Sequence, residues 1–139
     1  MSVSSRSRAR ELIVQALYQR LLAGHDLDEL QAQCHARAAY RRADGAYFDR
    51  TLAAIVDDQD ELERLIDGLA DRPLAQLDPV ERAILLLGVH ELRNGDDVPY
   101  KVAINESVNL AKKFGAVDSH KYINALLDRA AKELQRKSA

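Results

Sequence analysis

LDPVERAILLLGVHEL, residues 77 to 92, joins a complete helix start to almost unbroken apolar sequence. Asp78 suits the N-cap and Pro79 the first helical position, where a missing N–H costs nothing; Glu81 suits the reciprocal capping role. Ile84, Leu85, Leu87, Gly88 and Leu92 leave little polar surface, so the spacing predicts a central helix, stopped by Asn94 and Gly95. A helix apolar nearly all round must be wrapped by other elements. The rest of the chain has to supply amphipathic partners.

It does so by helical periodicity from end to end. Ala9, Leu12, Ile13, Ala16, Leu17 and Leu21 follow an i, i+3, i+4 rhythm between an N-cap at Ser5 and a stop at Gly24. Asp26 and Glu29 are spaced as a capping box, ahead of a stripe of Leu27, Leu30, Cys34 and Ala38. A third helix, from about Asp44, turns Phe48, Leu52, Ile55 and Val56 inward, and a fourth uses Leu62, Leu65, Ile66 and Leu69. The acidic residues between Asp57 and Asp71 read as a solvated outer face. A sixth helix buries Val102, Ile104, Val108 and Leu110 and closes at Gly115. Asp118 or Ser119 caps a last one, with Ile123, Leu126, Leu127, Ala130 and Leu134 inward. No segment alternates with period two. The expected fold is all-α, about seven helices, in a single domain spanning residues 1–139.

Composition agrees. A chain of 139 residues, 47% hydrophobic and 30% charged, with three prolines and six glycines, describes a globular protein of long elements and short loops. No apolar run approaches the roughly 18 residues of a membrane span. The N-terminus lacks the apolar core of a secretory signal. The lone Cys34 excludes an internal disulfide and points to a reducing, cytoplasmic compartment. The net charge of -2 conceals an asymmetry: residues 1–20 carry +3, residues 112–139 carry +4, and the middle carries -9. Two basic ends fit a polyanion if they meet; solvated helix faces are the plainer explanation.

Chemistry of catalysis has no candidate. His25, His35, His90 and His120 are scattered, and Cys34 beside His35 could hold a metal only with remote ligands. There is no glycine-rich phosphate loop, no GxSxG elbow and no carboxylate pair with a reaction partner. A binding module without cofactor or metal is expected.

Two stretches suggest what is bound. In SRSRARELIVQALYQ, Arg6 and Arg10 lie one turn apart with Arg8 across from them, at a helix start whose own partial charge is positive. The alternative is an arginine-rich frayed end. Tyr18 is either a surface aromatic or packs against a neighbouring helix. In KKFGAVDSHKYI, residues 112 to 123, a turn requires the glycine and a helix start the aspartate. Lys112, Lys113, Phe114, His120, Lys121 and Tyr122 exceed what folding asks for, and cations interleaved with aromatic rings suit unpaired RNA.

RARELIVQALYQ, LDPVERAILLLGVHEL and DVPYKVAINESVNLAKKFGAVDSHKYINALLDRAA, in this order, resemble the bacterial NusB family over nearly the whole chain. The NusB-like N-terminal domain of certain rRNA cytosine methyltransferases shares the fold, but there a large catalytic domain follows. The resemblance implies an all-helical fold of two three-helix-type subdomains and a non-enzymatic role in transcription antitermination. It implies binding of single-stranded boxA RNA in rRNA leaders together with NusE, a small-subunit ribosomal protein, and association with RNA polymerase and other Nus factors. Family members occur as monomers and homodimers, and a dimer could bury the arginine-rich face.

Carried onto this chain, the resemblance places Arg6, Arg8 and Arg10 against RNA phosphates. It places Lys113, Phe114, Asp118, His120, Lys121 and Tyr122 along the RNA edge, facing those arginines. Tyr18 and Glu81 match positions turned towards NusE, although capping alone would account for Glu81. Asp118 is the odd member, since a carboxylate near phosphates weakens binding; asparagine there is expected to keep the cap and strengthen RNA affinity. Leu86 stands where relatives can carry a basic side chain, so any contact made there is absent. Two readings compete: a helical adaptor without direct RNA contact, whose acidic middle docks a basic protein, and a detached NusB-like RNA-binding domain of an rRNA methyltransferase system.

Overall fold

The computed structural model describes residues 4–94 and 98–134; Gly95, expected to stop the central helix, lies outside them. Seven α-helices and two short 3-10 turns are present among the described residues, with no strand. They fall into two compact units, dividing between Asp58 and Gln59.

The first unit holds α1 (Ser5–Ala23), α2 (Leu27–His35), a 3-10 turn (Ala38–Arg42) and α3 (Gly45–Asp57). Ser4, not Ser5, caps α1: its Oγ accepts the Ser7 N–H at 3.0 Å while Ser5 enters the helix. Gly24 ends α1 in the left-handed region, φ 72, as a C-terminal glycine does. The capping box of α2 forms in both directions, Glu29 N–H to Asp26 at 2.9 Å and Asp26 N–H to Glu29 at 3.2 Å. That helix stops at His35, so Ala38 leaves the predicted stripe and is exposed in the 3-10 turn. Asp44 caps α3 through the Tyr47 N–H at 3.0 Å. The core of this unit comprises Ile13 and Leu17 of α1, Leu30 of α2, and Phe48, Leu52 and Ile55 of α3, all buried.

The second unit holds α4 (Gln59–Leu69), a 3-10 turn (Leu74–Gln76), α5 (Pro79–Asn94), α6 (Tyr100–Phe114) and α7 (Ser119–Glu133). Every residue of α5 from Ala83 to Leu92 is buried, as its composition demanded. It packs against α4, α6 and α7. Gly88 makes the closest approaches possible: a Cβ there would lie 2.8 Å from Ser107 Oγ and 2.9 Å from Leu127 Cδ1. Asp78 Oδ1 accepts the Val80 N–H at 2.7 Å at the start of α5. On α4, Leu62 and Ile66 are fully buried, Asp60, Glu61 and Asp67 face solvent, and half-buried Glu63 pairs with Arg82 at 2.8 Å.

Helix α6 departs from expectation. Val102 is 43% exposed, because the inward stripe is Ala103, Ile104, Ser107, Leu110 and Ala111. Ala103, Ser107 and Ala111 take the inward positions because small side chains let neighbouring helices approach closely. The strand-free, helix-only reading of the chain holds throughout the described residues.

Candidate nucleic-acid interface

In the first unit the three arginines do not share one environment. The Arg6 guanidinium lies 4.3 Å from the Tyr47 ring centroid and 4.0 Å from Asp44 Oδ2. Arg10 lies 5.6 Å from the same ring, and Arg50 5.7 Å. Arg10 is only 3% exposed, which corrects its expected place on an outward cationic end. It stands on the apolar stripe with Ile13, Val14 and Leu17, at i+3, i+4 and i+7, a register visible in the sequence. Its stem lies in the core and its charge faces an aromatic ring. Arg6 and Arg8 remain partly exposed.

In the second unit the segment from Lys112 to Tyr122 closes α6 and opens α7. Lys112 and Lys113 are exposed in the last turn of α6, where cations complement the helix C-terminus. The Lys113 ammonium lies 5.5 Å from the half-buried Phe114 ring. Gly115 has an ordinary φ of -87. It is needed because a Cβ would lie 2.7 Å from the Ala111 carbonyl oxygen and 3.1 Å from Ser119. Close approach, not a left-handed turn, requires this glycine.

The left-handed residue is Asp118, φ 71, the one non-glycine residue with positive φ among the described residues. It occupies the N-cap position of α7 without a side-chain cap hydrogen bond, which corrects its expected capping role. Its carboxylate instead reaches Lys121 Nζ at 3.3 Å, both groups being exposed. Ser119 does not cap either. Its buried hydroxyl donates to Glu81 Oε2 at 2.8 Å, tying the start of α7 to the first turn of α5. Glu81 is thereby engaged with another helix instead of closing a capping box.

The residues after Ser119 diverge. His120 and Lys121 turn to a groove of about 450 Å³ between α6 and α7, whose other wall holds Tyr100, Lys101 and Asn105. Tyr122 turns elsewhere: the Arg72 guanidinium covers its ring at 4.4 Å, and its hydroxyl is buried with no hydrogen-bond partner. Burial raises its pKa above the ordinary value. Arg72 opposes the rise, while Asp71 and Glu81 add to it. Tyr122 therefore does not share a face with His120 and Lys121, as the sequence reading had it. Arg72 was missed because it lies far away in the chain. The groove residues were missed although Lys101–Asn105 and His120–Asn124 are each spaced one turn apart.

Of the two residues expected to face NusE, Tyr18 is half-buried on α1 and Glu81 half-buried on α5. Leu86 is 1% exposed and faces the core, so a side chain there does not reach a ligand. Among the described residues no group of three or more His, Cys, Asp or Glu is placed to hold a metal ion. Cys34 is buried, and burial pushes its thiol above its ordinary pKa. No described helix is long and apolar enough to cross a membrane.

Seven helices in two units, with no strand among the described residues, define an all-helical protein whose units each carry cations beside an aromatic ring, Arg6 and Arg10 at Tyr47 in the first and Lys113 at Phe114 in the second. The chain belongs to the NusB family, whose sequence profile matches residues 7–132. The transcription antitermination protein NusB of Paraburkholderia phymatum is 44% identical over 132 residues, covering 95% of this chain and 91% of that protein. The solved structure of T. maritima NusB superposes with a TM-score of 0.76 at 27% identity, over 94% of both chains. A structure of antitermination factors NusB and NusE in complex with dsRNA gives 0.75 at 23% identity, over 91% of this chain and 96% of that one. At that identity the likeness concerns the fold.

Proposed function

We propose that this protein is a transcription antitermination factor that binds single-stranded boxA RNA of nascent rRNA transcripts together with NusE and acts without catalysis. The observation that carries the reading is the α6–α7 junction. Lys112, Lys113 and Lys121 are exposed along this junction, the Lys113 ammonium lies 5.5 Å from the Phe114 ring, and Ser119 ties the start of α7 to Glu81. Cations beside an aromatic ring on a fixed backbone attract phosphates and stack an unpaired base. Arg6 and Arg8 add phosphate contacts from α1, with Arg10 supporting them through the shared Tyr47 ring. Membership of the NusB family and relatives named for antitermination support the same reading. Tyr18 and Glu81 face NusE, and the assembly joins RNA polymerase with other Nus factors in the cytoplasm. Self-association through the α1 face competes with RNA.

The test is a titration of labelled boxA-type single-stranded RNA, with and without NusE, across a salt series. Affinity falls steeply with salt, and removing one phosphate-binding lysine reduces the slope of log K against log[salt] by about 0.7. Absent or salt-independent RNA binding in the presence of NusE overturns the reading in favour of a protein-docking adaptor.

A further inference from the structure

A groove runs between α6 and α7, lined by residues of both helices. Joined by only four residues, the two helices are antiparallel neighbours. From His120 to Asp128 the α7 wall runs eight residues, about 12 Å at 1.5 Å per residue. Ile104 and Val108 give the groove an apolar floor, and Tyr100 adds an aromatic ring at one end. Asn105 on one wall and Asn124 on the other carry exposed amides between the two ends. Lys101 and Lys121 stand at opposite ends, both exposed. The volume, about 450 Å³, falls within the range of small-ligand sites.

We infer that this groove takes one nucleotide of the bound single-stranded RNA. The base lies on Ile104 and Val108 between the Asn105 and Asn124 amides, and the flanking phosphates reach Lys101 and Lys121. Asparagine amides supply a donor and an acceptor in one plane, which is what a base edge needs. Charge complementarity favours RNA over a peptide, since a lysine at each end brackets an uncharged middle. Each lysine has a carboxylate at its end of the groove, Asp128 on the Lys101 side and Asp118 beside Lys121. Lys121 and His120 also continue directly from the Phe114–Asp118 connection, so a strand bound there leads into the groove. The inference rests on the RNA-binding reading above.

Base stacking alone tolerates any sequence, whereas paired amides discriminate. The groove thus gives a site of base readout where the α6–α7 junction supplies mainly affinity. Anion attraction at Lys121 is partly masked by Asp118 at 3.3 Å.

The experiment uses the full chain with NusE and a boxA-type RNA in which each nucleotide in turn is replaced by an abasic unit. Wild type shows one position where base loss weakens binding roughly three- to tenfold, as expected for one or two hydrogen bonds. The double variant Asn105→Ala, Asn124→Ala weakens the intact RNA by a similar factor and no longer responds to base loss at that position. Lys113→Ala, outside the groove, weakens all RNAs alike and keeps the response. Circular dichroism confirms that the Asn variants, both on exposed helix faces, remain folded. Unchanged RNA affinity in the double variant, with Lys113→Ala still weakening it, overturns the groove assignment and leaves the function standing. Loss of NusE affinity alone in the double variant assigns the groove to a protein and equally overturns it. No RNA binding by wild type, with NusE present, overturns both.

Discussion

The Ser119 hydroxyl donates to Glu81 Oε2 at 2.8 Å, so the residue that opens α7 is held by the first turn of α5, thirty-eight positions earlier. The bond fixes the far end of the α6–α7 junction to the most buried helix of the unit. Glu81→Ala removes the acceptor and strands a buried hydroxyl, costing about 1–3 kcal/mol. Glu81→Gln keeps an acceptor and is expected to lose less than 1 kcal/mol. Urea denaturation of both variants separates the two. If Glu81 faces NusE, Glu81→Gln also weakens that partner at near-normal stability, read by calorimetric titration.

Asp118→Asn replaces a charged residue in left-handed backbone by one that tolerates that conformation better. It loses an exposed ion pair with Lys121, worth at most about 1 kcal/mol. It frees that lysine and removes a repulsive charge. RNA affinity is expected to rise about threefold at low salt, with the gain shrinking as salt screens it. An unchanged or weaker affinity removes the junction from the RNA surface.

Gly115→Ala places a Cβ 2.7 Å from a backbone carbonyl, which cannot move without unwinding the last turn of α6. A loss of about 1–3 kcal/mol is expected, as for other overpacked sites. RNA binding should fall as well, since the junction shifts. Thermal unfolding and anisotropy on the same sample check both.

Tyr122 ionises above its ordinary value, chiefly because it is buried. Folding disfavours its charged form, so its contribution to stability is complete below about pH 10 and falls as pH rises through the folded-state value. Tyr122→Phe removes both this titration and an unpaired buried hydroxyl, so it should match or exceed wild-type stability at pH 8 and gain on it above pH 10. Denaturation midpoints across that range report the difference.

Arg8→Ala and Arg10→Ala should differ in kind. The first is partly exposed and is expected to lower RNA affinity and the salt slope with little change in stability. The second removes a buried side chain packed over Tyr47 and destabilises the first unit by about 1–3 kcal/mol. Equal stabilities would refute the buried placement.

What the chain reveals before any coordinates depends on whether a residue answers to its neighbours in sequence or in space. The buried run of α5, the capping box of α2 and the Gly24 stop rest on local spacing, and each is present in the structure. Asp118 suits a cap by residue type, yet its backbone takes the left-handed conformation and its carboxylate pairs with Lys121. Arg10 was read by its charge, while its register with Ile13, Val14 and Leu17 already placed it inward. The Tyr122–Arg72 pair and the Asn105–Asn124 groove join separate segments, which no local period reports.

The unbroken burial of α5 from Ala83 to Leu92 has a consequence for the protein as it is made. Helix α5 ends at Asn94, but α7, one of its covers, is complete only at Glu133, roughly 40 residues later. At about 5–20 residues per second of synthesis, this apolar segment waits some ~2–8 s without its full shelter. During that interval α4 and then α6 are its only available lids, so newborn chains stalled before α7 should be the species that chaperones hold and that aggregates when they do not.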